Sequence, residues 1–242
     1  MVFSIHKPTH LIALLILMFV FAVFYILPFF ILTGLIPGSE AQQQITETYI
    51  VLNSAVTSIL LVGASIVWLT FVDNMRLKEI LSYLKLTGRN IDSAFIWGSA
   101  VFITIFFAQI VIALFLSLLG VHLENPVANE IAGALSIGSM VFIAVVQSTS
   151  EEIFFRGFLL EKIGGYSGYT LSIFATAFLF GLAHIGYGRI YPIIMPLIMG
   201  LLLGYVVVRT KNLFSSITAH ITFNLVSFAL YVISQSIQSV NL

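Results

Sequence analysis

No cysteine occurs anywhere in the 242 residues, which excludes disulfides, thiolate metal sites and a cysteine nucleophile. Charge is almost as scarce: Asp, Glu, Lys and Arg make up 8% of the chain, against about 25% in a soluble domain. Net charge is zero, so nothing in the balance favours a nucleic-acid partner. What fills the chain instead is apolar. Hydrophobic residues account for 60%, with 22 Phe and a mean hydropathy of +1.09. A water-soluble fold with so few charges has nothing with which to cover its exterior. The fold class is therefore all-α, a polytopic membrane bundle, because the apolar runs are long and continuous rather than short and alternating as in a barrel.

With about 20 apolar residues needed to cross a bilayer core, the sequence divides into seven expected spans, near 11–36, 49–71, 94–119, 130–163, 168–185, 191–209 and 213–236. Pro28 is an expected kink in the first. Pro37-Gly38-Ser39 is expected to stop the first span and Gly164-Gly165 the fourth. The first span is too long for a signal-peptide core and lacks a small-residue cleavage site, so it reads as a retained anchor. The chain divides into a three-span region at 1–129 and a core at 130–242, integrated in one membrane domain. The connectors after spans two, four and six carry Arg76, Lys78, Lys85 and Arg89, then Lys162, then Arg209 and Lys211. Among the other connectors only Arg189 is basic. The positive-inside bias then puts the amino terminus, with Lys7, in the cytoplasm; in a bacterium the membrane is the plasma membrane.

Against this apolar background, Glu151, Glu152 and Arg156 fall within six residues. One reading ends span four at Val146 and leaves the three charges solvated. The other continues the helix, because Ile153-Phe154-Phe155 resumes the apolar pattern without a breaker. Each charge then costs about 2.5–3.5 kcal/mol near the centre of a lipid-facing helix, so the three must face protein or a watery cavity. Glu152 and Arg156, four apart in the acid-first order, can pair. Glu151, about 100° round the helix, has no local partner, and an unpaired buried carboxylate suits a general base.

Three further polar residues lie in later spans. His184 is either an interfacial histidine or a site residue. His220 and Asn224 share a helix face, either as a structural hydrogen-bond pair or as part of a site. At a rise of about 1.5 Å per residue, Glu151, His184, His220 and Asn224 fall at expected heights of about 16–18, 24, 11 and 17 Å from one membrane face. They can meet within a core about 30 Å thick. Ala177/Gly181 and Gly200/Gly204 have the small-xxx-small spacing of close helix contacts; for the second pair generic packing is the expectation. His6, His10 and His122 lie in termini or loops and have no functional reading.

Glu151-Glu152-x-x-x-Arg156, Phe180-x-x-x-His184 and His220-x-x-x-Asn224, in that order on successive apolar spans, resemble the CPBP family. This is the CAAX-processing and bacteriocin-processing group of membrane proteases, also known as the ABI or type II CAAX prenyl endopeptidase family and lysostaphin-resistance-like. The resemblance covers roughly residues 130–236. It implies a helical core with a cavity open towards the cytoplasm and cleavage of a membrane-associated substrate, such as a prenylated CAAX protein or a bacteriocin leader. It further implies Glu151 as the base that activates water, with His184 holding that water or a metal. His220 and Asn224 would hold water or stabilise the oxyanion, and Glu152, Arg156 and Phe180 would support them. A zinc ion on Glu151, His184 and His220 and a metal-free activated water are both compatible with these residues. The metal-free route is preferred because no HExxH-type pair fixes two ligands on one helix. The competing functions are a non-catalytic binding or immunity protein of the same fold and a proton-coupled transporter, although the transporter repeats of matched broken helices are absent.

Overall fold

In a computed structural model, the structure describes residues 3–36, 46–120, 126–187 and 191–240. Among them are helices and no strand. Five helices are long and apolar enough to cross a membrane: α1 (Pro8–Leu32), α2 (Glu47–Phe71), α4 (Ile91–Leu118), α8 (Tyr191–Thr210) and α9 (Phe214–Ser239). The windows in α1 and α4 are only 11% buried, with Leu15, Phe19, Phe107, Val111 and Leu114 turned outwards. Surfaces so apolar and so exposed are lipid-facing, and the protein is an integral membrane helical bundle. Arg189, His122 and the Pro37-Gly38-Ser39 stop lie outside the described residues.

Several expected boundaries shift, each for a local reason. The first helix ends at Leu32, where Gly34 takes a left-handed φ of +72°. Pro28 does not break it. A π-helical turn at Ala22–Ile26 precedes the proline, which lacks an N–H and crowds the preceding turn, so the ladder widens there. The charged connector after α2 contains a short helix, α3 (Leu77–Tyr83).

The fourth expected span is two pieces. Helix α5 (Pro126–Ala134) ends, and Ser136 then caps a new helix by accepting from the Ser139 backbone N–H. This helix, α6, runs without interruption over residues 137–167. It passes straight through Glu151, Glu152 and Arg156, so the reading in which the helix ends at Val146 is incorrect. Gly164-Gly165 does not stop it either: both lie inside the last turns, and the helix ends at Ser167, before Gly168 with φ +81°. The fifth expected span, α7 (Tyr169–Leu182), has 14 residues. It is about 21 Å long and falls short of a hydrocarbon core of about 30 Å.

One end of the bundle is tied together by its charged connectors. Lys162 Nζ lies 2.5 Å from Asp73 Oδ2, and Lys85 pairs with Glu161. The Leu213 backbone N–H donates to the Lys85 carbonyl at 3.0 Å. The Asn212 amide donates to the Thr87 and Arg89 carbonyls. The connectors after α2, α6 and α8 therefore share one face, as an alternating topology requires. Burial first, then the Glu161 and Asp73 carboxylates, raises the pKa of the Tyr83 phenol within this collar, so Tyr83 stays neutral there.

Small residues set the close approaches. A Cβ on Gly98 would lie 2.5 Å from the Ser215 carbonyl, so α4 and α9 touch backbone to backbone. Gly200 in α8 meets Ala177 in α7, with an added Cβ 2.9 Å from Ala177 Cα and 3.2 Å from Arg156 Nη2. Generic packing is therefore too weak a description: Gly200 forms part of the wall around the buried arginine. Gly200→Ala is expected to lower stability by about 1–3 kcal/mol through overpacking, measured as a reduced thermal midpoint in detergent. Gly63→Ala, where nothing lies within 4 Å, should leave that midpoint unchanged or slightly raised.

Candidate active site

The site forms where α6 and α9 run antiparallel. Leu213, just before α9, lies against Gly157 of α6, and His220 meets Glu152. One helical turn further, Asn224 Nδ2 donates to Ser148 Oγ at 2.8 Å. From His220 to Asn224 and from Glu152 to Ser148 are four residues each, so one turn of each helix carries one matched pair. Phe214 starts α9 opposite the third turn from the end of α6. This offset raises His220 to the level of Glu151 and removes the difference in expected heights.

Two π-helical turns, Ile143–Gln147 and Ile153–Leu159, flank the segment Ser148–Glu152 within α6. Such insertions occur mostly as single turns and are frequent at functional sites. Each changes the facing of the residues beyond it, and the carboxylates sit between the two.

Glu152 Oε1 accepts from Arg156 Nη1 at 2.8 Å, and His220 Nδ1 lies 2.9 Å from the same oxygen. Glu152 and Arg156 are both fully buried, so the expected pair is present, and it extends to a third residue. An ionised carboxylate only accepts, so His220 must carry its proton on Nδ1. In neutral imidazole this leaves Nε2 as an acceptor, and Nε2 lies 3.8 Å from Glu151 Oε2. Glu152 thus orients the ring that faces Glu151.

Glu151 has a local partner that the sequence reading does not supply. Gln147 Nε2 donates to Glu151 Oε1 at 2.9 Å, leaving Oε2 turned towards His220. Gln147 is four residues before Glu151, and that spacing was available as a signal. The Ser150 hydroxyl lies 2.7 Å from the Gln147 carbonyl and 3.1 Å from Ser58 Oγ of α2. The second span therefore braces this turn of α6 although it carries no motif.

His184 stands in the turn just beyond the short helix α7. Its Nδ1 lies 2.8 Å from the Phe180 carbonyl, which can only accept, so Nδ1 carries the proton here too. Glu151 and His220 are within electrostatic reach of His184. Phe180 sits between these groups, with its ring centroid 5.2 Å from that of His184, 5.8 Å from that of His220 and 4.2 Å from the Arg156 guanidinium carbon. A cation over a ring face is favourable, so Phe180 supports Arg156 while shaping the floor beneath both histidines. Tyr25, in the π-helical turn of α1, donates to the Leu179 carbonyl at 3.1 Å and ties the first span to the end of α7.

The structure thus gathers Glu151, Glu152, Arg156, Phe180, His184, His220 and Asn224 around one level. Among the described residues no group of three His, Asp or Glu side chains is placed together to hold an ion. What the site does present is two acceptors, Glu151 Oε2 and His220 Nε2, facing each other at 3.8 Å. Two facing acceptors are best satisfied by a molecule with two O–H donors, and a water within about 2.8 Å of each fits that need.

Residues 133–226 match the family model described as Type II CAAX prenyl endopeptidase Rce1-like. No curated protein and no solved structure matches the chain. The matched segment begins just before α6 and ends two residues after Asn224, so it contains Glu151, Glu152, Arg156, Phe180, His184, His220 and Asn224 but not the bracing residues Tyr25 and Ser58.

Proposed function

From its membership, through the Rce1-like domain at residues 133–226, of the CPBP family of intramembrane proteases, we propose that this chain hydrolyses a peptide bond of a membrane-associated protein or peptide by means of a glutamate-activated water. The observation that carries this reading is the relay Glu152–His220–Glu151, in which one carboxylate fixes the ring and the other faces its free nitrogen.

Glu151 Oε2 takes a proton from the water held between it and His220 Nε2. The water oxygen forms a bond to the scissile carbonyl carbon, and the carbonyl π electrons move onto its oxygen. Asn224, with one amide N–H on Ser148, has a second N–H for that developing oxyanion. The tetrahedral intermediate then breaks its C–N bond, and Glu151 returns the proton to the leaving amine, leaving a carboxylic acid and a free amine. Glu152 and Arg156 take no proton in this sequence. Their pairing keeps Nε2 of His220 aimed at the water. No step passes through a metal.

Mass spectrometry of membrane peptides tests the reading and identifies the substrate at once. Cleavage products are expected with the native chain and absent with His220→Ala, which removes the ring between the two carboxylates. An unchanged peptide profile would contradict proteolysis and favour a binding protein of the same fold.

A further inference from the structure

The ion pair beneath His220 is incomplete as a hydrogen-bonded unit. Glu152 Oε1 is engaged twice, by Arg156 Nη1 and by His220 Nδ1. Its second oxygen, Oε2, is buried with no hydrogen-bond partner among the described residues, as are Nε and Nη2 of Arg156. The two nitrogens have other support. The guanidinium carbon lies 4.2 Å from the Phe180 ring centroid and 5.7 Å from that of Phe155, and a cation is favourable over a ring face. A carboxylate oxygen gains nothing from a ring face. Burying one without a donor is among the costlier things a fold can do.

The register of α9 on α6 brings a donor to this oxygen. His220 faces Glu152 and Asn224 faces Ser148. Four residues before His220, on the same helix face, stands Ser216. It is fully buried, and its hydroxyl is within interaction range of the Glu152 carboxylate. Ser216 Oγ also lies 3.1 Å from the Leu213 carbonyl oxygen, but that carbonyl has no need of it. The backbone N–H groups of Ser216 and Ile217 already donate to it at 3.2 and 3.1 Å, one for each of its two lone pairs. The hydroxyl is thus a third donor where two suffice, and its hydrogen rotates to suit its neighbours.

Resting on the protease reading above, we infer that Ser216 is a positioning residue, whose hydroxyl donates to Glu152 Oε2 and fixes the carboxylate that orients His220. A carboxylate held through one oxygen can swing about its terminal carbon–carbon bond, and the imidazole bonded to it swings with it. Held through both oxygens it cannot, so His220 Nε2 keeps its aim at the water facing Glu151. Ser216 touches neither that water nor the substrate. Its effect passes through Glu152 and the ring.

Ser216→Ala deletes one oxygen and little packing, and two measurements test its role. The thermal midpoint in detergent is compared with and without this change, in the native chain and in the Glu152→Leu/Arg156→Met background, which has no carboxylate at position 152. In the native chain the midpoint should fall by about 3 °C or more, as befits a hydrogen bond to a charged group. In the background it should fall less than half as far, because contacting residues couple. Equal losses in both, or no loss in the native chain, would assign the hydroxyl to the Leu213 carbonyl and overturn the inference. On a peptide identified by the mass spectrometry above, Ser216→Ala should lower kcat about tenfold with KM unchanged. Ser215→Ala is the control, removing the neighbouring buried hydroxyl that donates to the Asn212 carbonyl at 2.8 Å; its kcat should stay native. An unchanged kcat for Ser216→Ala, or an equal fall for Ser215→Ala, would remove the positioning role. The midpoints need no proteolysis, so coupling to Glu152 in a native chain that cleaves nothing would reject the enzyme reading and leave the hydrogen bond in place.

Discussion

Glu151→Gln should abolish peptide cleavage while leaving the bundle folded. Loss of a positioned general base costs about 10²–10⁴ in rate, and a glutamine cannot take the proton of the bound water. The fold should tolerate the change, because Glu151 is the less embedded of the two carboxylates. It is 9% exposed, it accepts a hydrogen bond from the Gln147 amide, and its approach to His220 is 3.8 Å. A glutamine oxygen can accept the same bond from Gln147. The expected result is a thermal midpoint in detergent close to native with no detectable product. Cleavage at more than about a tenth of the native rate would remove Glu151 from the role of base, since even the low end of that range is larger.

Arg156→Met should give the opposite profile, in which stability falls and activity is lost with it. Arg156 is fully buried and holds Glu152, itself at 0% exposure, through a 2.8 Å bond. Removing one member of a buried ion pair leaves the other uncompensated, at a cost of about 3–5 kcal/mol. The neighbouring wall does not relieve this. Gly200 and Ala177 offer no polar atom to the vacated space beyond backbone already held in helices. The double variant Glu152→Leu/Arg156→Met separates the two roles. Replacing a buried pair with apolar groups is often neutral or stabilising, so the thermal midpoint should recover most of what Arg156→Met loses. Activity should not return, because His220 no longer has a carboxylate on Nδ1 to orient it. Recovery of both would mean that the pair is structural alone.

These variants sort two adjacent residues of identical chemistry into different roles, and that sorting was partly legible in the sequence. The i,i+4 spacing of Glu152 and Arg156 pointed to their pairing. The spacing of Gln147 and Glu151 carries the same kind of information, which the expectation of an unpartnered Glu151 does not use. The span from α2 could not be read at all. Ser58 touches Ser150 across 92 positions of chain, and no local pattern encodes a contact of that separation. The same holds for Tyr25 and Leu179, 154 positions apart.

The expected boundary that fails is the one at Gly164-Gly165. In a membrane core the backbone has no water to turn to, so a helix continues through Gly164-Gly165 and widens before Pro28 rather than losing its hydrogen bonds. The break that does occur, at Leu135-Ser136, is marked by a capping serine.

Composition and pattern by themselves determined that this chain is a helical membrane protein, that its few charges must converge, and which residues converge. Those follow from the cost of burying charge in hydrocarbon, which does not depend on the details of packing. Only the tertiary structure decided that Glu152 holds His220 as well as Arg156 and that His220 faces Glu151. These depend on the register of α6 against α9. Helices so uniformly apolar can slide past one another without changing their sequence signature, and it is the close contacts at Gly98, Gly157 and Gly200 that select one register.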